Sequence, residues 1–111
     1  MIRVVFHLSE RDRSRVAFNN INNLLEDMAG EPGELVLLVN GNGVTSLLTA
    51  GESEPQWPTL LARGVRLLAC ANSLRGQRLV PDQLLPGVEV VSTGVLALIE
   101  LQQQGFAYIK S

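Results

Sequence analysis

Short apolar runs alternate along this chain with stretches in which apolar positions recur every three or four residues, the rhythm of strands and helices in turn. Residues 2–8 are mostly β-branched or aromatic and end at the charged cluster Ser9-Glu10-Arg11-Asp12-Arg13, which predicts a strand. Over residues 13–29, Ala17, Ile21, Leu24, Leu25 and Met28 fall on one stripe of a helix. Asp12 is placed to cap its start, and Gly30-Glu31-Pro32-Gly33 ends it. Residues 35–39 are apolar without a break, as in a parallel strand covered on both faces. A tight turn, Asn40-Gly41-Asn42-Gly43, leads to a short helical stretch at 44–48, a loop over 49–58 and a second helical stretch at 59–63.

Gly64 stops that stretch and residues 65–69 form another apolar strand, which runs into Cys70-Ala71-Asn72-Ser73-Leu74-Arg75, where Asn72 is placed to cap a helix. Pro81 and Pro86-Gly87 punctuate the chain before a strand at 88–91. Thr93-Gly94 turns it into a helix over 95–104, and Gly105 separates that helix from a last strand at 106–109. The order β-α-β-α-β-α-β-α-β predicts a flavodoxin-sized three-layer α/β/α sandwich around a mostly parallel five-stranded sheet, in one domain spanning 1–111. The pattern leaves open the strand order and the partner of the last strand.

Composition adds exclusions. With 46% hydrophobic and 18% charged residues the chain can form a packed core. A net charge of -2 and a pI near 5.3 supply no positive field for phosphate backbones, so nucleic acid is not expected as a partner. The longest uncharged stretch near the C-terminus, 90–99, is about half the roughly 20 residues of a membrane span. The first residues carry no basic region ahead of a long apolar segment. A cytoplasmic protein without a membrane partner is the expectation. One cysteine and one histidine exclude an intramolecular disulfide and a four-ligand zinc site within one chain, so no metal is expected.

In open parallel sheets ligands bind beyond the carboxyl ends of the strands. That rule gathers His7, Asn40 to Gly43, Cys70 to Ser73 and Ser92 to Gly94 on one rim. A thiol at a strand end that opens onto a helix meets free backbone N–H groups, which favour thiolate, and Arg75 and Arg78 stand near it in sequence. The other reading of Cys70 is packing, since cysteine is among the most buried residue types. His7 reads first as a hydrogen-bonded strand-end residue and second as a base for the thiol. The Asn40-Gly41-Asn42-Gly43 turn lacks the Lys and hydroxyl of a Walker motif. It reads first as a plain βα turn and second as an anion site. Asn19, Asn20, Asn22 and Asn23 are mediocre helix formers crowded onto the first helix, where Asn20 and Asn23 flank the apolar stripe and can bond across a subunit boundary or to the rim. Trp57 sits between Pro55 and Pro58, as a cover for a pocket, a subunit contact or ordinary packing.

From Gly64-Val65-Arg66-Leu67-Leu68-Ala69-Cys70-Ala71-Asn72-Ser73-Leu74-Arg75 onward, the sequence resembles the DsrE/DsrF-like family, which includes the sulfur-relay proteins TusD and DsrE and the small YchN-like proteins. Val4-Val5-Phe6-His7-Leu8, Asn20-Ile21-Asn22-Asn23-Leu24-Leu25, Val39-Asn40-Gly41 and Gln104-Gly105-Phe106-Ala107-Tyr108-Ile109-Lys110 resemble its single-domain branch in the same order. The resemblance implies an α/β subunit that assembles into trimers or hexamers. It also implies, as in the sulfur-relay members, a cysteine at the position of Cys70 that carries sulfur as a persulfide and works with partner proteins; such a carrier needs neither organic cofactor nor metal. Around Cys70 the candidate pocket residues are His7, Asn40, Gly41, Asn72, Ser73, Arg75 and Gly94. The expected function is thus an intracellular sulfur carrier or sulfurtransferase. The alternative is a non-catalytic oligomeric protein that binds an anion or nucleotide or acts as a scaffold.

Overall fold

The computed structural model describes residues 1–49 and 55–111; the expected loop over 49–58 lies partly outside them. Five strands form one sheet in the order β4-β3-β2-β1-β5, where β1 is Ile2–Leu8, β2 Gly33–Val39, β3 Arg66–Cys70, β4 Glu89–Val91 and β5 Ala107–Lys110. Every ladder is parallel, and β5 pairs with β1, which settles the partner of the last strand. β2 is the middle strand, which explains the unbroken apolar run: residues 35–39 are all buried, with helices packed on both faces.

The helices are α1 at Ser14–Met28, α2 at Trp57–Ala62, α3 at Ala71–Gly76 and α4 at Gly94–Gln103. Three successive connections each step one strand in the same direction, and the last returns across the whole sheet from β4 to β5. Parallel crossovers are right-handed, so a reversal of direction moves the connecting helix to the other face. The packing follows that rule. Ala17 and Ile21 of α1, Trp57 and Leu60 of α2 and Leu74 of α3 share one core cluster with alternate strand residues such as Val4, Phe6, Leu37 and Leu67. Ala97, Leu98 and Leu101 of α4 form the other cluster with Val5, Val36, Leu38 and Leu68.

One helix cannot cover five strands, and the α4 face of the sheet is therefore apolar only in its middle. At the amino ends of the strands it carries ion pairs: Arg3 Nε lies 2.6 Å from Glu34 Oε2, and Arg66 makes a two-pronged contact with Glu89 at 2.8 and 3.0 Å. Hydrogen bonding to Glu89 raises the Arg66 guanidinium above its ordinary range, and the same contact lowers the Glu89 carboxyl. At the carboxyl ends the same face presents Tyr108, His7, Asn40 and Cys70.

Two local expectations are corrected, and a choice left open at Trp57 is decided. Asp12 does not cap α1; it lies inside a 3-10 turn at Arg11–Arg13, and the residue before α1, Arg13, makes no side-chain cap. The helical stretch expected at 44–48 is a 3-10 helix spanning Gly41–Leu47. Trp57 is fully buried within one chain, with its ring edge-on to Phe18 and its Nε1 donating to the Ser46 carbonyl at 3.0 Å, so it is packing and not a cover or a subunit contact. Replacing it (Trp57→Ala) is expected to lower the unfolding free energy by about 3–5 kcal/mol, the usual effect of deleting a buried aromatic ring, as read from denaturant titration. A change under about 1 kcal/mol contradicts this placement in the core.

Candidate functional site

Cys70 closes β3, and its side chain takes up the role of helix cap. Its backbone is extended (φ -73°, ψ 118°), α3 starts at the next residue, and its Sγ accepts from the Ser73 N–H at 3.4 Å, as a serine or aspartate oxygen would at that position. Asn72, expected to cap, lies two residues past the cap position and is exposed, with its Oδ1 accepting from Arg75 Nη2 at 3.3 Å. At six residues α3 is too short to build a large dipole. What the thiol meets is a set of individual donors.

These donors come from two segments. The backbone N–H groups of Asn72 and Ser73 belong to the first turn of α3, and that of Gly94 to the first turn of α4. The fourth is the Ser73 hydroxyl. Its oxygen already accepts the Gly41 N–H at 2.8 Å, which leaves the hydroxyl proton for sulfur. Burial pushes the Cys70 thiol up, but the Ser73 hydroxyl and the three N–H groups outweigh it, and the thiol lies below its ordinary value. All of these groups are neutral donors. Arg75, expected to assist by its charge, turns to Asn72 instead.

Two glycines make the arrangement sterically feasible. Gly41 has φ +55°, and a Cβ there would stand 2.7 Å from the Ser9 carbonyl oxygen, so a side chain would displace the N–H that orients Ser73. A Cβ on Gly94 would meet Leu38 Cδ1 at 2.9 Å and Asn40 Cβ at 3.4 Å. Only without it does the start of α4 settle against the end of β2, beside the thiol. Thr93 caps α4 by accepting from Leu96 N–H at 3.3 Å.

His7 is not brought to the sulfur by any hydrogen bond among the described residues. It lies on β1, two strands from β3. Its Nε2 is 2.9 Å from Asn40 Oδ1 and its Nδ1 is 2.6 Å from the Tyr108 hydroxyl, so both ring nitrogens are engaged. Tyr108 was missed in the sequence because its place depends on β5 lying beside β1, where Val5 pairs with Tyr108. The glycine turn spends its polar groups internally. Gly41 N–H goes to Ser73, Gly43 N–H donates to the Asn40 carbonyl at 3.1 Å, and Asn42 Oδ1 accepts from Arg11 N–H at 2.8 Å, as in a plain βα turn. Of the α1 asparagines, Asn22 accepts from Arg63 Nη1 at 3.2 Å. Asn20 and Asn23 line a groove with Phe6, Leu24 and Ile109 on the face of the sheet opposite the thiol. Among the described residues no group of three or more His, Cys, Asp or Glu side chains is placed to hold a metal ion. Nor is any helix among them long and apolar enough to cross a membrane.

The model of the DsrE/DsrF-like family matches residues 2–111. A solved structure of a protein of unknown function from Methanobacterium thermoautotrophicum, MTH1491, is 34% identical and superposes with a TM-score of 0.91, with each chain covered completely. The ychN protein from E. coli is 16% identical with a TM-score of 0.82, again over the whole of both chains, a likeness of fold. No curated protein matches the chain.

Removing the one side-chain donor tests the electrostatics of the thiol. The midpoint of the pH profile for alkylation of Cys70 is expected below that of a free cysteine, and Ser73→Ala is expected to move it up, since the thiolate loses a donor. An unmoved midpoint would show that Ser73 does not act on the sulfur.

Proposed function

The chain belongs to the DsrE/DsrF-like family, and from that premise we propose that it is a sulfur carrier or sulfurtransferase that holds sulfane sulfur as a persulfide on Cys70. The observation that carries the reading is the Cys70 thiol itself, held below its ordinary pKa by hydrogen bonds at the carboxyl end of the sheet despite its burial. A packing cysteine needs no such set of donors.

The step balances without an oxidant. The Cys70 thiolate attacks the outer sulfur of a donor persulfide, a new S–S bond forms at Sγ, the donor's S–S bond breaks, and the donor leaves as a thiolate. An acceptor thiolate then attacks the same outer sulfur and releases Cys70 as thiolate. The N–H groups of Asn72, Ser73 and Gly94 stabilise the anion before the first attack and after the second. Donor and acceptor are proteins that present a cysteine, and the reaction runs in the cytoplasm, where thiols stay reduced. No cofactor or metal takes part.

Assembly into a trimer or hexamer belongs to the same proposal. Val95, Leu96 and Ile99 of α4 and Tyr108 and Ile109 of β5 are exposed apolar or aromatic residues on two elements that reach the thiol-bearing rim. Val95, Leu96, Ile99 and Tyr108 belong to the elements on the α4 face and Ile109 to the opposite face, and exposed apolar side chains of this kind suit contact between subunits.

The test is intact mass after incubation with a cysteine desulfurase and cysteine, then after reduction, with Cys70→Ser as control. The chain has one thiol, so a reducible gain of one sulfur atom on the wild type but not on the variant is the expected result. No gain, together with a thiol inert to alkylation in the folded protein, contradicts the carrier reading and leaves a binding or scaffold protein.

A further inference from the structure

A hydrogen-bonded row crosses the α4 face of the sheet from the edge strand towards the thiol, and sulfur exchange as written above gives it no task. Asn40 Oδ1 can only accept, so at 2.9 Å it places a proton on His7 Nε2; in that tautomer Nδ1 is the acceptor for the Tyr108 hydroxyl at 2.6 Å. The row is thus directional: Tyr108 O–H to His7, and His7 N–H to Asn40. With its oxygen committed to His7, the Asn40 amide has its two Nδ2 protons left to give. Nδ2 lies 3.5 Å from where a Cβ on Gly94 would stand, next to the residue whose N–H donates to Cys70. Among the described residues no acceptor is paired with Nδ2, although Asn40 is half-buried.

We propose that Asn40 donates to the outer sulfur of the Cys70 persulfide, and that His7 and Tyr108 are positioning residues that fix the amide with its nitrogen towards that sulfur. The inference rests on the carrier reading and adds the group that recognises the cargo. The donors around Cys70 act on Sγ itself, the Ser73 N–H at 3.4 Å. A transferred sulfur sits one S–S bond, about 2.0 Å, further out, and its charge needs a donor of its own. The Asn40 amide lies beside Gly94, at the end of β2 next to the strand that Cys70 closes.

Two variants test it. Asn40→Asp keeps an oxygen for His7 Nε2–H and replaces the donor by an acceptor. Tyr108→Phe, on an exposed edge strand, keeps the ring and frees His7 to change tautomer and the amide to turn. Wild type and variants are loaded with a cysteine desulfurase and cysteine, and the persulfide is followed by intact mass over time. The unloaded thiol of each is titrated by alkylation in parallel. Asn40→Asp is expected to lose its persulfide about tenfold faster than wild type, the effect of one hydrogen bond to an anion. Tyr108→Phe is expected to lose it a few-fold faster, with the alkylation midpoint of the bare thiol unchanged, a split that a general loosening of the site does not produce. Wild-type lifetimes in both variants overturn the assignment of Asn40 and leave the Cys70 reading standing. A wild type that takes up no sulfur overturns both.

Discussion

The handedness of parallel crossovers organises this molecule. Three connections step along the sheet in one direction and stack α1, α2 and α3 on one face, and the single reversed connection sends α4 to the other. The loops that leave the carboxyl ends of β3 and β4 therefore diverge to opposite faces. Between such neighbours a parallel sheet opens a crevice. Cys70 ends β3 on one side of it and Gly94 begins α4 on the other, so the first turns of two helices meet at one sulfur atom.

The chemistry at that atom is a contest between burial and hydrogen bonding. Enclosure disfavours the thiolate, and it also prevents water from screening the donors that favour it. The donors win without any cation: three backbone N–H groups and one hydroxyl, each fixed by structure that is already in place. Ser73 is oriented by Gly41, Gly41 is held against Ser9 by a backbone that tolerates no Cβ, and Gly94 fits only because it too lacks one. Preorganised neutral donors suit a sulfur that must be anionic before and after each exchange, since a fixed counter-charge would also hold back the anion that has to leave.

The sequence revealed the succession of elements, because periodicity and glycine punctuation are local. It revealed the rim as well, because strand ends follow from strand positions. What it could not show depended on pairing across the sheet. Tyr108 joins His7 only because β5 returns to lie beside β1, and a single chain carries no local signal for that. The cap of α3 escapes a sequence reading for a different reason. Cap preferences favour asparagine and so point to Asn72, whereas the strand runs on to Cys70 and the helix begins at Ala71, which makes sulfur the capping atom. Nearness in sequence suggests an electrostatic role for Arg75, yet on the helix it turns to Asn72, one turn back. Trp57 between two prolines is open in sequence to surface and core readings alike, and it is core, where the Ser46 carbonyl accepts from its indole N–H.

The most direct test of the central claim, that neutral donors from two helix starts converge on Cys70, is a pH titration followed in backbone amide NMR spectra. The resonances of Asn72, Ser73 and Gly94 should move together with one midpoint below that of an ordinary cysteine, and Cys70→Ser should abolish the transition. Movement of Asn72 and Ser73 alone, with Gly94 silent, would contradict the meeting of α3 and α4 at the sulfur.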